Sequence, residues 1–589
     1  MAVFTREHKA IRVGMLISGE HRSPFGEGIF QYLTLLVKGA SPGALQFNLV
    51  LSQNSVEAFE VWRDHLPPEL QADVVVIGAP DRVSRNFHSI EIDLEVGDWI
   101  RAFEKGVDVW FTLQPHYAIL TAANKPVATI FADWVFSEYF TMFPPEINIE
   151  PQYEATKKMA SVVSRFICFS EHVKKNHICK VFGISEERVV VLPHARFDYA
   201  DVTGCSFTSK KAAADRIRDY LADEALTPIE DRPNRDIWQR RLLGNILKGF
   251  PFEEVDYALV STRARPHKNT GIVLRAALEM RRTYANTKII VTAPISWTAP
   301  QDAFSKEITD SGLQWDVIAL AQLPSEVHAA VYRCAAVTVH PSPFEGGFPF
   351  TAFESLSMGT PILIADGAVA REFLPIEDRE HFLFNPTSPS QLAARIGETI
   401  RDRDKVLSRQ LQAIEKFPRS LRQNTNELIA LFEQLIMAPP LGVARVDAGE
   451  ISFNSEDQSD LTAEGWWPKE DWGRWSSSGR STLRFWNAPG SAAHAIELHL
   501  SVPPYEGAEF MGWITINDDP ASRITISDSG NKHSLMVTIN GLPEGLVTVA
   551  INTRKLSRPS DMGSADGRAM GFGLGQVRFL TGGPGGGAH

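Results

Sequence analysis

Thirteen short apolar runs, each followed by a longer amphipathic or polar stretch, occupy residues 11–385 and leave few architectures open. RVGMLIS, FNLVLS, DVVVIG, VDVWFT, PVATIF, RFICFS and VVVLP fall between Ile11 and Leu192. DYALVST, TKIIVTAP, WDVIALA, AAVTVHPS, TPILIAD and HFLFNP form a second set. Runs this short and this continuously apolar suit strands buried on both faces, and strands separated by helical segments are joined by crossovers into parallel sheets. The pattern predicts an α/β fold with two Rossmann-like halves.

Asp201 to Phe250 lies between the halves, is rich in charge and helix formers, and reads as a helical linker or insertion. Ser420 to Met437 (SLRQNTNELIALFEQLIM) has helical spacing and stops at APP, which ends the α/β part. Beyond Val443 the rhythm changes to period-two alternation in TLRFWN, AIELHLSV, WITIN, RITIS, LMVTIN and LVTVAIN, which predicts an antiparallel β-sandwich. The expected layout is a first Rossmann-like domain over 1–200, the linker over 201–250 and a second Rossmann-like domain over 251–440. The last helix of the second domain, 420–437, is free to pack back on the first. The sandwich then spans 446–581, with a flexible tail over 582–589. Six tryptophans fall between Trp466 and Trp513. They suit glycan stacking, but a small sandwich core would also absorb most of them.

A net charge of −12 argues against a nucleic-acid groove, which needs a basic excess. Cys168, Cys179, Cys205 and Cys334 form no CxxC pair and no metal-ligand spacing, so neither disulfide framework nor metal site is expected. VGMLIS is too short for a signal peptide and no run of about 18 apolar residues occurs, so no membrane span is expected. The expected place is the cytoplasm, with peripheral contact at the inner face of the membrane left open.

In an open parallel sheet, ligands bind outside the carboxyl ends of the strands. Three loops qualify. In ISGEHRSPFGEGIFQYL, Gly26 and Gly28 precede a helical run and let backbone amides approach an anion, or simply make a βα turn. In VSTRARPHKNTG, Arg263 and Lys268 stand between strand and helix; two fixed cations there suit a diphosphate, or make a solvated basic turn. In HPSPFEGGFPFTAFESLSMG, Glu345 follows a strand and Glu354 lies in the next helix, whose N-terminus near Phe350 and Thr351 offers free N–H groups to an anion. GFGLGQ near the C-terminus imitates a nucleotide loop but leads into a strand, which excludes a dinucleotide site.

These loops, with FICFSEHVKKNHICKVFGISEERVVVLP, IALAQLPSEVHAAVYRCAAVTVHPSPFEGG and LFNPTSPSQLAARI in this order, resemble the retaining glycosyltransferases of family 4. That resemblance implies the GT-B fold, two Rossmann-like domains facing across a cleft, with the acceptor on the N-terminal side and the nucleotide sugar on the C-terminal side. It implies that Arg263 and Lys268 hold the donor diphosphate and that Glu354 meets the ribose. It gives Glu345 the donor sugar, the amides of Gly346, Gly347 and Phe348 the sugar hydroxyls, and those of Phe350 and Thr351 the phosphates. The spacing of the glutamates is one residue longer than the family's usual step, so Gly346 competes for the place of the first glutamate. Where the family often has His-Asp, this chain reads Ala132-Asp133; Asp133 either orients the acceptor or caps a helix. His194, Arg196 and Glu372 are further cleft candidates, Glu372 reading equally as a surface carboxylate.

The implied activity is retaining, hexosyl-type transfer from a nucleotide sugar to an oligosaccharide or lipid-linked glycan acceptor, of lipopolysaccharide, capsule or exopolysaccharide type. The nucleotide sugar is a substrate, and neither cofactor nor metal is implied. The sandwich resembles those appended to bacterial polysaccharide-assembly glycosyltransferases and suits glycan binding or oligomer assembly. The competing expectation is a GT-B glycan-binding or scaffold protein with little or no turnover.

Overall fold

The first seven apolar runs become β1 (Ile11–Ile17), β2 (Leu45–Leu51), β3 (Val74–Gly78), β4 (Val109–Thr112), β5 (Val127–Ile130), β6 (Val163–Cys168) and β7 (Val189–Val191). In this computed structural model they pair in parallel in the order β3-β2-β1-β4-β5-β6-β7. The next six become β8 (Tyr257–Val260), β9 (Lys288–Val291), β10 (Val317–Ala319), β11 (Val337–His340), β12 (Ile362–Ala365) and β13 (Leu383–Phe384), parallel in the order β10-β9-β8-β11-β12-β13. Both orders reverse direction beside their first strand, between β1 and β4 and between β8 and β11, which is where such sheets open a crevice for ligands. The structure describes residues 10–18, 24, 28–143, 147–226, 248–262, 265–283, 286–293, 303–320, 323–417, 419–439, 443–446, 449–452, 461–488, 490–506, 509–529 and 534–581.

Helices cover both faces of each sheet. Helix Gly28–Gly39 buries Phe30, Leu33, Leu36 and Val37. Helix Leu421–Ile436 starts from a capping box, in which Ser420 and Gln423 satisfy each other's backbone N–H groups. Although last in the α/β part, it docks on the first sheet, where Leu428, Leu431, Phe432 and Leu435 join the core and Phe432 meets Phe111 edge-on with centroids 5.3 Å apart. At roughly 1.5–3 kcal/mol for each buried large apolar side chain, this helix is a strong tie between the domains. Its partner helix approaches so closely that a Cβ at Gly39 would collide with Thr425 Oγ1. The linker helix Lys210–Leu226 instead buries Ala213, Ala214, Ile217 and Leu221 in the core of the second domain.

The C-terminal region is a sandwich of two five-stranded sheets. Its strands are β14 (Arg445–Val446), β15 (Gly449–Ser452), β16 (Arg474–Trp475), β17 (Arg480–Asn487), β18 (Ala493–Ser501), β19 (Phe510–Ile516), β20 (Ile524–Asp528), β21 (Ser534–Asn540), β22 (Gly545–Thr553) and β23 (Gly573–Thr581). One sheet runs β14-β17-β22-β19-β20, the other β15-β23-β18-β21 with β16 on β23. Alternate residues such as Leu483, Phe485, Val547 and Val549 face Ile496, Leu498, Val577 and Phe579 across the core. Pairing is antiparallel except between β14 and β17. GFGLGQ enters β23.

The expectation that most of the tryptophans fill this core is corrected. Only Trp486 is buried; Trp466, Trp467, Trp472, Trp475 and Trp513 are half-buried. The inward positions of the long strands are taken by aliphatic and phenylalanine side chains; four of the indoles lie on residues 466–475, and of these Trp466 packs against that core. No helix among the described residues is long and apolar enough to cross a membrane.

Candidate active site

The loops after β8 and β11 meet at the crossover point of the second sheet, and there Lys268 Nζ lies 2.5 Å from Glu345 Oε1. His340, the last residue of β11, places Nε2 3.1 Å from the same oxygen, and the Thr351 hydroxyl bonds its Nδ1 at 2.9 Å. Burial alone would raise the Glu345 carboxyl, but the Lys268 ammonium and His340 more than reverse this and hold it far below the carboxylate range. Glu345 is therefore ionised at any physiological pH and serves as a hydrogen-bond acceptor, not as an acid. Helix Phe350–Ser357 starts directly after this loop behind Pro349, which caps no N–H with its side chain. Its first N–H groups point the positive end of the helix at the same space.

Glu354 lies one turn into that helix. It is 7 % exposed, and Tyr332 donates its hydroxyl to Oε2 at 2.7 Å. Burial pushes its carboxyl up to about 7, with the Tyr332 hydrogen bond opposing. Glu345 and Glu354, nine positions apart, are thus shifted in opposite directions, one held down by its neighbours and the other pushed up by burial.

The N-terminal domain supplies the facing wall from segments that follow β5, β6 and β7. Ser170 donates its hydroxyl to the Gly346 carbonyl at 2.8 Å, and His194 Nδ1–H donates to the Phe348 carbonyl at 2.8 Å. The His194 ring also stacks on Phe350 at 4.2 Å, and burial lowers its pKa to about 4, so it is neutral. A Cβ on Gly346 would collide with the Ala132 carbonyl oxygen, and one on Gly347 would come within 2.6 Å of Phe169 Cβ. The glycine loop is pressed against the opposite domain. Asp133 accepts from Val135 N–H at 3.2 Å, a local turn contact, and also feels the charges of Lys268 and Glu345. Burial raises its carboxyl, Lys268 pulls it down and Glu345 lifts it again. Glu372 bridges the domains: its carboxylate accepts from the Glu171 and His172 N–H groups at 2.8 and 3.0 Å, capping the helical turn that begins there.

The structure thus brings together Lys268, Glu345, Gly346, Gly347, Phe348, Phe350, Thr351, Asp133 and His194, with Glu354 one turn into the helix and Glu372 at the domain seam. Arg196 does not join them; its side chain is exposed and its backbone pairs with Arg419 and Ser420. Gly28 is the first residue of its helix, whereas Gly26 and Arg263 lie outside the described residues. Sequence reasoning missed His340, Tyr332, Ser170 and His267. His340 was open to inspection as a polar residue ending an apolar strand. His267, beside Lys268, stacks on Phe143 at 5.5 Å, and burial lowers its pKa to about 4.

One cluster among the described residues has the spacing of a metal site: Glu138, His172 and His177. Its hydrogen bonds fit another role. Trp134 N–H donates to His177 Nδ1 at 2.8 Å, so the neutral ring keeps its proton on Nε2 and donates it to Glu138 Oε1 at 3.0 Å. A protonated Nε2 is no ligand.

Residues 247–419 match the family model described as Glycosyl transferases group 1. No curated protein matches the chain. Among solved structures, Anabaena Alr3699/HepE in complex with UDP-glucose is similar at 15 % identity, covering 72 % of this chain and 99 % of that one, with a TM-score of 0.50. The same protein in complex with UDP and glucose matches at 15 % identity over 72 % and 100 %, also at 0.50. Sucrose-phosphate synthase from Thermosynechococcus elongatus matches at 13 % identity over 72 % and 99 %, at 0.48. At such identities the likeness is one of fold. The chain has a GT-B fold, whose second half matches the Glycosyl transferases group 1 model over residues 247–419, followed by a β-sandwich.

Proposed function

We propose that the protein is a retaining glycosyltransferase that moves a hexosyl group from a nucleotide sugar to an oligosaccharide or lipid-linked glycan on the cytoplasmic side of a membrane. The observation that carries this reading is the Lys268–Glu345–His340 cluster at the crossover point of the matched domain, beside the bare end of helix Phe350–Ser357. That the HepE structures hold UDP-glucose or UDP with glucose supports a nucleotide-sugar donor.

The donor diphosphate takes Lys268 and the N–H groups of Phe350 and Thr351, with Arg263 assigned to the same anion. As the bond from the anomeric carbon to the diphosphate breaks, negative charge grows on the leaving oxygen, and fixed positive groups stabilise that state more than the ground state. The acceptor hydroxyl attacks from the face the diphosphate leaves and hands its proton to the departing phosphate oxygen. The configuration is thereby retained. Glu345, ionised and anchored, accepts from donor-sugar hydroxyls; Glu354 accepts from the ribose. No protein acid or base is required in this step.

Nucleoside diphosphate release across a panel of nucleotide sugars, with and without oligosaccharide and lipid-linked acceptors, tests this. Acceptor-stimulated release with one donor is expected. Tight glycan binding with no release from any donor would establish the scaffold role instead.

A further inference from the structure

The outer face of the second sandwich sheet carries a cleft of about 470 Å³ lined by residues of the sandwich alone. His499 of β18 stands opposite Gln576 of β23 on one side and Met536 of β21 on the other, a single cross-strand row. Its neighbours Leu498 and Leu500 are buried in the core, so the alternation of the strand turns His499 outward. Ser501 and Ser534 make a second pair along the same floor. Between these rows the register slips: His499 pairs with Gln576 but Leu500 with Leu574, so Gly575 is an extra residue. Such a bulge bends the strand and re-aims its side chains, and Gly575 adds none of its own to the floor.

Trp472 closes one end of the cleft, and its ring is fixed. Nε1–H donates to Glu470 Oε2 at 2.8 Å, and Glu470 is held in turn by Arg568 at 2.7 Å. The indole packs edge-on against Trp475 with centroids 4.8 Å apart and lies over Gly573, where a Cβ would come 2.5 Å from its Cη2. His499 is fixed as well. Its Nε2 donates to Glu497 Oε1 at 2.7 Å, which orients the ring and leaves Nδ1 for a ligand hydroxyl. Among the described residues no Lys, Arg, Asp or Glu lines the cleft.

We propose that this cleft binds a neutral carbohydrate, with the C–H face of one pyranose on Trp472 and its hydroxyls on His499, Gln576 and the two serines. A locked aromatic face beside planar and hydroxylic groups matches a sugar ring, which is apolar on its faces and donates and accepts around its edge. Phosphate or uronate ligands would call for cations, which the described lining residues do not offer. Pre-ordered side chains lose little entropy on binding. A glycan tethered here is held at high effective concentration for the transfer site on the same chain. The binding itself is independent of whether that site turns over.

Isothermal titration of the full chain with maltohexaose, cellohexaose, mannohexaose and a charged oligogalacturonate tests the proposal. At least one neutral hexaose should bind with sub-millimolar affinity and the uronate should not. Trp472→Ala should weaken that binding at least tenfold while Trp472→Phe stays within about threefold, with unfolding midpoints of both variants compared to wild type. Gln576→Ala, on the far side of the row, provides a second variant and should weaken binding several-fold. Absence of binding by every neutral hexaose, preference for the uronate, or wild-type affinity in folded Trp472→Ala would overturn it.

Discussion

Replacing Glu354 by glutamine removes a carboxyl whose ionised form the fold disfavours, and the consequence reads out in protons. Burial lifts this group from an ordinary 4.5 to about 7. At 1.36 kcal/mol per pH unit, the ionised state is disfavoured by about 3 kcal/mol, so at pH 7 the unliganded site is about half protonated. Ribose hydroxyls donated to this carboxylate favour the ionised form and draw the pKa back down. Nucleotide binding at pH 7 should therefore expel about half a proton from Glu354. Calorimetric binding of the tightest nucleoside diphosphate, in buffers of different ionisation enthalpy, measures the protons released. The nucleotide's own phosphate titrates alike in both proteins, so the difference between wild type and Glu354→Gln isolates the carboxyl. The same shift acts on folding. A carboxyl raised in the folded state contributes stability when protonated, and this is lost as pH climbs from 4.5 through about 7. Relative to wild type, Glu354→Gln should thus gain up to about 3 kcal/mol in urea unfolding at pH 8 compared with pH 5. Equal proton release in the two proteins would refute the ribose contact, and pH-independent relative stability would refute the buried-carboxyl reasoning.

Lys268→Ala should cost about 2–4 kcal/mol of transition-state stabilisation, the scale of a lost oxyanion donor, or roughly 30- to 1,000-fold in kcat/KM; unchanged turnover removes it from the site. Gly346→Ala puts a methyl group into the Ala132 carbonyl. Overpacking of about 1–3 kcal/mol should bias the domains apart, seen as a larger radius of gyration in solution scattering and roughly five- to 150-fold slower transfer. Because Lys268 and a helix end supply the positive charge, treatment with EDTA should leave turnover within about twofold; a larger loss restored by magnesium would overturn that.

Buried parallel strands announce themselves because both faces are apolar, which is why VDVWFT and AAVTVH could be read directly as β4 and β11. The short β14 and β16, two residues each, carry no such pattern. The site was legible only in its loops. Lys268 and Glu345 are 77 residues apart and were linked by resemblance, whereas Ser170 reaches Gly346 over 176 residues and Tyr332 reaches Glu354 from another helix. Such contacts arise from how two sheets and their helices pack, and no local spacing encodes them. The tryptophans mislead for a related reason: composition reports their number but not whether the inward positions of a strand carry them.

The lengthened step between the glutamates shows packing deciding what spacing left open. Counted back from the helix, Gly346 falls at the place of the first glutamate in the family these loops resemble. In the fold that position has no room for any side chain, since its Cα faces the Ala132 carbonyl across the domain seam. One residue earlier, Glu345 projects toward the crossover point, where Lys268 and His340 both reach Oε1. The extra residue therefore leaves the carboxylate beside Lys268 and His340 and places a glycine where the domains touch. A chain with Glu345→Gly and Gly346→Glu together restores the family's spacing by count. It should nevertheless lose transfer and closure, because its carboxylate would have to occupy space already filled by the opposite backbone. Activity retained in that double variant would show that the loop shifts by one residue when the donor binds.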